Sequence, residues 1–322
     1  MPDAYGPTDR LDFRRPRQAG DVLSDSLAFV REHFVDLGRG LLYIAGPIIV
    51  LAAIGSGFVQ RQSLGVNPLF NPNADPDAIL SMFGPGYFFT VLLTFVATVL
   101  VMGVGFAYVF LYMEGAPRPI MVPELWDRTK RVLGPVVLTW LGLWLLVIGS
   151  MLIFLVPCLG ALAWLGGWIY LVPAVSLLLP ARLIDEGDFF SALRRARHLV
   201  DGYWSQTFGV VVLVGVVIFV LAAVVSLPVL IVTAVIGFHG ATEAGPLMQA
   251  LLSVGAVLGS LAYFAYVLFP VAFTMQYFNL VTEQEGASVP DLEGRIEAIG
   301  RDDDAGWGDA DWDEGRDADR RP

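Results

Sequence analysis

The stretch "DFFSALRRARHLVDGYW" (residues 188–204) stands directly before a long charge-free stretch near 207–236. Its apolar or small residues recur at intervals of four, three, four and three, at Phe189, Leu193, Ala196, Val200 and Tyr203. This spacing is typical of one face of an α-helix. The stretch therefore predicts an amphipathic helix that leads into a membrane-crossing segment.

The composition of the whole chain indicates a membrane protein. Its 322 residues are 56% hydrophobic and only 16% charged, and the mean hydropathy is +0.64. Six stretches contain no Asp, Glu, Lys or Arg and are long enough, or nearly so, to cross about 30 Å of hydrocarbon. They lie near 41–59, 87–112, 136–157, 160–179, 207–236 and 247–278. We predict an all-α integral membrane six-helix bundle. Five prolines can break its spans: Pro47, Pro157, Pro173, Pro228 and Pro270.

The amphipathic pattern of residues 188–204 occurs twice more. It precedes the first span at Leu23, Leu27, Val30, Phe34 and Leu37, and the third span at Val122, Trp126, Thr129, Leu133 and Val136. Arg31, Lys130 and Arg197 occupy equivalent positions after the third apolar member of each copy. The pattern predicts three cytoplasmic amphipathic helices and three helix-plus-hairpin repeats, near 21–112, 122–180 and 188–278. The alternative is that the three amphipathic helices arose independently and are not parts of a repeat.

The distribution of basic residues predicts the orientation. Lys and Arg near the ends of spans tend to stay in the cytoplasm, and nineteen of the twenty basic residues fall on one predicted side, with Arg61 on the other. Both termini are therefore expected to be cytoplasmic. Because Lys130 is the single lysine, the strong arginine bias indicates a prokaryote, and we expect a multi-pass protein of the cell inner (cytoplasmic) membrane.

Three segments of different character divide the chain. Residues 1–20 are predicted to be disordered, 21–280 to form the membrane domain, and 281–322 to form an acidic disordered cytoplasmic tail. The tail has fourteen acidic and five basic residues and few aliphatic ones, so it cannot bury a core. Its Trp307 and Trp312 are candidates for binding a cytoplasmic protein partner. The alternative is a tail that only adds charge and solubility.

Two stretches carry a resemblance to a known group of proteins. "LIDEGDFFSALRRARHLVDGYWSQTFGVVVLVGVV" (183–217) and "RQAGDVLSDSLAFVREHF" (17–34) resemble segments of bacterial multi-pass proteins related to the membrane domain attached to some glycerophosphodiester phosphodiesterases. The resemblance covers about 20–280 and implies a six-helix membrane protein. It supplies no catalytic residues, and the chain has no room for a phosphodiesterase domain, so that activity is not expected here.

The search for chemistry predicts no catalytic, cofactor or metal site. None of the six spans contains an Asp, Glu, Lys or Arg, which are the usual groups of ion-coupled transport. Cys158 is the only cysteine, and His33, His198 and His239 are too dispersed for a zinc pattern. The nucleophile-elbow and phosphate-loop patterns do not occur. We therefore expect a protein that is not an enzyme.

Membrane lipids are the first expected partners. Basic residues on an interfacial helix add about 1 kcal/mol each to binding of an anionic surface. The candidates for headgroup contact are Arg31, Lys130, Arg194, Arg195 and Arg197. Gly255 and Gly259 form a GxxxG pattern that permits close helix packing, either within the bundle or between two copies. The acidic tail and the absence of a basic domain argue against nucleic acid as a partner.

Two functions remain open from the sequence. The first is a non-enzymatic membrane protein that organises the membrane or binds a partner while its interfacial helices hold lipid headgroups. The second is a carrier or channel for an apolar or amphipathic small molecule or a lipid, which needs no buried charge. The second function predicts a cavity lined by Thr, Ser and Gly from several spans.

Overall fold

The computed structural model of the chain describes residue 13 and residues 17–66, 83–115, 119–156, 159–239, 255 and 259–285. These described residues form helices and no strand, which confirms the predicted all-α class. The α-helices are α1 (Ala19–Glu32), α2 (Phe34–Ile44), α3 (Gly46–Val66), α4 (Pro85–Met113), α5 (Val122–Ser150), α6 (Leu159–Ile184), α7 (Phe189–Val200), α8 (Trp204–His239) and α9 (Leu268–Glu285). Two 3₁₀ segments, Met151–Leu155 and Ser260–Val267, extend α5 and precede α9.

Five segments are long and apolar enough to cross a membrane. They are Pro85–Met113, Val122–Leu155, Leu159–Ile184, Trp204–Leu227 and Ala262–Gln284. The bent pair Phe34–Ile44 and Gly46–Gly57 makes a sixth if it is counted as one span. By length and composition the chain is therefore a multi-pass membrane protein, with five or six spans among its described residues.

The first span differs most from its prediction. The sequence predicted one span over 41–59, but α2 begins at Phe34 and meets α3 at an angle of 64°. Pro47 is the second residue of α3 and has no N–H to donate to the carbonyl of Tyr43, so one helical hydrogen bond is missing at the bend. The bonds from Ala45 to the carbonyl of Leu41 and from Ile49 to that of Ala45 are kept. The bend lies at the first of the five prolines.

The three predicted amphipathic helices do not have the same form. α1 ends before His33, and α7 ends before a turn in which Gly202 has a φ of +84°. By contrast, residues 122–136 form the first part of α5, which continues without interruption through Pro135. A left-handed residue such as Gly202 lets the chain leave the helix at little cost, and no residue with positive φ lies within α5. Two helices are therefore separate and one is continuous with its span.

The face of α1 that packs on the bundle lies one residue before the predicted stripe. Val22, Ser26 and Phe29 are buried, whereas Leu27 and Phe34 are 39% and 64% exposed. Apolar residues occur on two faces of this helix, and docking against α8 and α9 selects one of them. Of the predicted stripe, Leu23 and Val30 are partly buried against the core and Leu37 is buried, so its exposed members Leu27 and Phe34 are left to contact lipid.

Burial is concentrated in one half of the molecule, which we call the packed half. It consists of α1, α7, α9, the buried residues of α2 and α3 between 37 and 53, the start of α5 at 125–136, and the adjoining parts of α4, α6 and α8, at residues 97–112, 173–181 and 207–214. The remaining parts of α4, α6 and α8, together with the end of α5 and its 3₁₀ extension, form the open half, where large apolar side chains are exposed. The site described next lies at the boundary of the two halves, where α7 meets α6 and the start of α8.

Both ends of the predicted membrane domain extend further than expected. Phe13 and Arg17 fall in the segment predicted to be disordered, yet both are buried. At the other end, α9 continues through Glu285, past the predicted start of the tail at residue 281. The packed half therefore includes residues from both predicted flanking segments.

Candidate functional site

Local hydrogen bonds fix both ends of α7. At its start, the Asp188 carboxylate accepts from the backbone N–H of Ser191 at 3.3 Å, and hydrogen bonding by Ser191 holds the pKa of Asp188 below its ordinary value. At its end, Nε2 of Gln284 donates to the carbonyls of His198, Leu199 and Asp201 at 3.2, 2.9 and 3.0 Å. The carbonyls of Leu199 and Asp201 would otherwise lack helical donors, whereas that of His198 also accepts from the Asp201 backbone N–H. The side chains of α7 are thus carried on a fixed helix.

Trp204 fixes the corner between α7 and α8. Its Nε1 donates to the carbonyl of Tyr170 in α6 at 3.0 Å. Its ring stacks on Phe208 with centroids 4.8 Å apart and an interplanar angle of 9°. The turn at Gly202 places this tryptophan beside α6. The corner therefore has one rigid aromatic wall.

A cleft of about 320 Å³ lies between α6, α7 and this corner. Its lining combines cationic, acidic, aromatic and aliphatic side chains: Tyr170, Leu171, Ala174, Arg194, Arg197, His198, Val200, Asp201 and Trp204. The stretch 188–204 thus contributes six of the nine lining residues, and the remaining three come from α6. Apolar walls with a few convergent polar groups are typical of small-molecule sites.

The cleft carries more positive than negative charge. Arg194 and Arg197 are exposed, and within the described residues neither guanidinium forms an ion pair with a carboxylate. His198 adds a titratable group, and Asp201 contributes one carboxylate. Arg197 and His198 lie in the last turn of α7, where the negative end of the helix dipole stabilises cations. The arrangement suits a bound phosphate or a similar anion.

Arg195 faces away from the cleft and has a structural partner. Its Nε lies 3.4 Å from Oδ2 of Asp185, whose other oxygen accepts a hydrogen bond from the Tyr277 hydroxyl at 2.8 Å. This group ties α7 and the end of α6 to α9. Of the three arginines predicted on α7, the structure therefore brings Arg194 and Arg197 to the cleft and uses Arg195 for packing.

The other two predicted basic residues lie on different elements. Arg31 is exposed in the last turn of α1, and Lys130 lies on α5. Nζ of Lys130 pairs with Oδ1 of Asp127 at 2.7 Å and lies 5.8 Å from the Trp126 ring centroid. Neither residue lines the cleft. The five predicted contacts are thus distributed over three helices.

The remaining predicted residues stay predictions. Trp307 and Trp312 lie outside the described residues. Gly255 is buried, and a Cβ added at Gly259 would meet no described heavy atom within 4 Å. By contrast, a Cβ on Gly103 would lie 3.0 Å from Cδ2 of Leu133, so α4 and α5 approach closely there. The described residues thus place a close glycine contact in α4.

The sequence reasoning missed a buried polar cluster at the start of α1. The Arg17 side chain is 1% exposed, and its Nε lies 2.8 Å from Oδ2 of Asp25. The Arg17 backbone N–H donates to Oδ1 of Asn279 at 2.7 Å, and its carbonyl accepts from Asn279 at 3.0 Å and from Gln206 at 2.9 Å. Gln276, also buried, donates to Thr207 at 3.2 Å. The polar Gln276 within a predicted apolar span was the available signal.

The described part of the chain offers little support for other chemistry. It contains no group of three or more His, Cys, Asp or Glu residues arranged to hold a metal ion. The carrier alternative predicted a cavity lined by hydroxyls and glycines, but buried Thr129 and Thr139 donate to carbonyls of their own helix, those of Leu125 and Pro135. These two hydroxyls serve packing, and the carrier function stays a prediction.

Comparison of the chain with protein-family models, with curated proteins and with solved structures found no match. The resemblance to the phosphodiesterase membrane domain accordingly stays a prediction. The function has to be inferred from the chemistry of the cleft and from its position beside the exposed apolar surface of α6 and α8.

Proposed function

We propose that the chain is a non-enzymatic, six-span protein of the cytoplasmic membrane, with both termini in the cytoplasm, that organises or supports the membrane by holding phospholipid headgroups. The cleft of α7 is its principal headgroup site. Arg31 and Lys130 provide weaker contacts along the same surface. Homo-oligomerisation is not part of the proposal.

The single observation that carries this proposal is the cleft itself. Arg194 and Arg197 face it without a carboxylate partner among the described residues, although an arginine paired with a phosphate is stabilised by charge-assisted, often bidentate, hydrogen bonds. Tyr170 and Trp204 line the same space. Amphipathic aromatic residues of this kind are enriched at the membrane–water interface. Arginines suited to binding phosphate and aromatic residues typical of the membrane–water interface therefore line the same cleft.

The acidic tail supplies the proposed link to a protein partner. α9 ends at Glu285 in the packed half, and its Gln284 contacts the end of α7. A partner held by Trp307 and Trp312 would therefore be recruited to the side of the molecule that carries the cleft. This arrangement gives a membrane-anchored protein that gathers lipid and a cytoplasmic protein at one place.

The test of lipid binding uses the full chain extracted in small lipid discs and native mass spectrometry of the retained phospholipid. Replacing Arg194 and Arg197 together by Gln removes about 2 kcal/mol of interaction, or roughly thirtyfold in affinity. The matched control replaces Arg39 and Arg131, which are also exposed but do not line the cleft. Circular dichroism checks that both variants are folded. Lipid retention by the Arg194/Arg197 variant equal to that of the wild type would overturn the proposal.

The test of the tail compares the full chain with a chain that ends at Gly286. We expect a protein that co-purifies with the full chain to be lost from the shorter one and from a Trp307→Ala/Trp312→Ala variant, while the retained lipid stays unchanged. The tail has no partner-binding role if both forms co-purify with the same proteins.

A further inference from the structure

Beyond the two arginines that suit a phosphate, the cleft presents one negative charge, that of Asp201. We propose that it selects a phospholipid whose headgroup carries both a phosphate and a primary ammonium group, as in phosphatidylethanolamine. This inference rests on the proposed function, because it names the lipid class that the same site binds. Its evidence is the position of Asp201, the aromatic wall and the apolar surface that continues from the cleft.

The phosphate end is defined by Arg194 and Arg197. Residues three apart in a helix lie on the same face, so the two guanidinium groups approach the cleft from adjacent turns of α7. Each offers several donors in a planar fork that matches phosphate oxygens. Arg195, which differs by one position, is turned toward Asp185 and does not compete. A single phosphate can therefore be shared by two guanidinium groups.

The ammonium end is defined by Asp201. It follows Arg197 by four residues, and its backbone N–H still donates to the carbonyls of Arg197 and His198. It thus lies about 6 Å further along the helix axis than Arg197. Within the described residues no salt bridge links it to a cation. A headgroup ammonium near Asp201 forms a hydrogen bond in which donor and acceptor are both charged, so it adds a Coulomb attraction that a headgroup hydroxyl lacks.

The aromatic wall favours the same end of the headgroup. Trp204 lies three residues after Asp201. Its ring is fixed by the hydrogen bond to the carbonyl of Tyr170 and by stacking on Phe208. Aromatic faces attract cations within about 6 Å, and tryptophan does so most strongly. A fixed aromatic ring beside a carboxylate is suited to binding an ammonium group. It offers no cation–π attraction to an uncharged glycerol headgroup.

The surface next to the cleft fits acyl chains. Along α8, the residues on the face of Trp204 continue with Phe208, Val212, Val216 and Phe219, the last three of which are exposed. Along α6, Gly166 and Gly167 precede Tyr170, and a Cβ at either position would meet no described heavy atom within 4 Å. Exposed apolar side chains on one helix and free space on the other therefore adjoin the polar cleft. This continuity points to a membrane lipid and not to a soluble phosphate ester.

The experiment measures lipid selectivity of the full chain. Detergent-purified protein is mixed with equal amounts of phosphatidylethanolamine and phosphatidylglycerol of identical acyl chains, and native mass spectrometry gives the ratio of the two bound lipids. We expect at least a fivefold preference for phosphatidylethanolamine in the wild type. Asp201→Asn should reduce the ratio to about one, while Glu186→Gln, an exposed acidic residue at the other end of α7, should leave it unchanged.

Other outcomes separate the failure of this inference from that of the proposed function. Equal binding of the two lipids by the wild type would overturn the ammonium site. If the Arg194→Gln/Arg197→Gln variant then lost both lipids, the proposal of headgroup binding would still be supported. Phosphoethanolamine in solution is added as a competitor. If it displaced the bound lipid at micromolar concentration, the acyl contacts would be unimportant and the assignment to a membrane lipid would be wrong.

Discussion

The packed half and the open half of the molecule are made of the same apolar residue types but are held in different ways. In the packed half, side chains of α4 and α9 are fully buried, among them Phe106, Tyr108 and Tyr277, and polar groups join elements far apart in the sequence. In the open half, Leu152, Leu155 and Leu162 are 69%, 79% and 69% exposed. Lipid is as apolar as these side chains, so their exposure carries no penalty in a membrane.

This difference indicates where the fold is specified. Between helices in a membrane, close van der Waals packing and hydrogen bonds replace the hydrophobic driving force that operates in water. Both are concentrated in the packed half. The sensitivity of the protein to substitution should therefore follow this division, and four substitutions with graded effects test it.

The largest effect is expected for Gly105→Leu in the packed half. A Cβ at Gly105 would lie 2.6 Å from Cγ of Pro270, and the rigid proline ring cannot move aside. Overpacking of this kind costs about 3 kcal/mol at the upper end of its usual range. Unfolding in mixed detergent micelles measures it. Gly166→Leu, in the open half, is the control, and an equal loss of stability in the two variants would contradict the division.

A smaller effect is expected for Asn279→Ala. This substitution removes both hydrogen bonds between the Asn279 amide and the backbone of Arg17. The buried N–H of Arg17 loses its Asn279 acceptor, whereas the carbonyl keeps its bond from Gln206. Unsatisfied buried groups cost about 1–3 kcal/mol. We expect about 2 kcal/mol in the same unfolding measurement, together with faster proteolysis before α1. Unchanged proteolysis would show that the polar cluster does not hold the N-terminal segment.

Ser150→Ala tests a hydrogen-bonded site near the open half. The Ser150 hydroxyl accepts from Nε1 of Trp164 and of Trp168 at 2.9 and 3.2 Å. Side-chain hydrogen bonds between membrane helices are worth about 0.6 kcal/mol on average. The unfolding free energy should therefore fall by about 1 kcal/mol, less than for Asn279→Ala. The reverse order would place an essential polar contact in the open half.

The smallest effect is expected for Leu162→Ala. Leu162 contacts lipid in the folded state and remains in lipid when the helices separate, so the substitution changes both states almost equally. The unfolding free energy should change by less than about 0.5 kcal/mol. Leu178→Ala, a fully buried position on the same helix, leaves a cavity in the packed core and should cost about 2 kcal/mol. Similar losses in these two variants would indicate that another chain covers the open half.

The sequence predicted the helical spans well where hydropathy alone determines them. The span predicted at 87–112 agrees with α4 at Pro85–Met113, because Pro85 begins the helix and the residues that follow carry no charge. The bend at Ala45 depends on one missing N–H. The sequence indicated Pro47 among the places where a helix can break, but it did not predict the angle of the bend. Residues that face lipid and residues that are buried inside the protein are equally apolar. Hydropathy therefore could not separate the packed half from the open half.

The cleft was predictable only on the side of α7. The spacing of 188–204 identified the amphipathic helix, and two of its arginines, Arg194 and Arg197, line the cleft. Periodicity could not distinguish them from Arg195, because that distinction depends on the position of Asp185 and Tyr277 in other helices. Tyr170 and Ala174 were missed for the same reason. Helix pairing is a property of the tertiary structure, and no local pattern encodes it.

The hydrogen bonds between Arg17 and Asn279 also set an order of events during synthesis. The two residues are 262 positions apart, and ribosomes add about 5–20 residues per second. Roughly 10–50 s therefore pass between the emergence of one residue and that of the other. Throughout this interval the Arg17 guanidinium has no finished interior to enter and must stay hydrated at the membrane surface. Its burial marks the end of assembly, so protection of the N-terminal segment from protease reports the completed molecule.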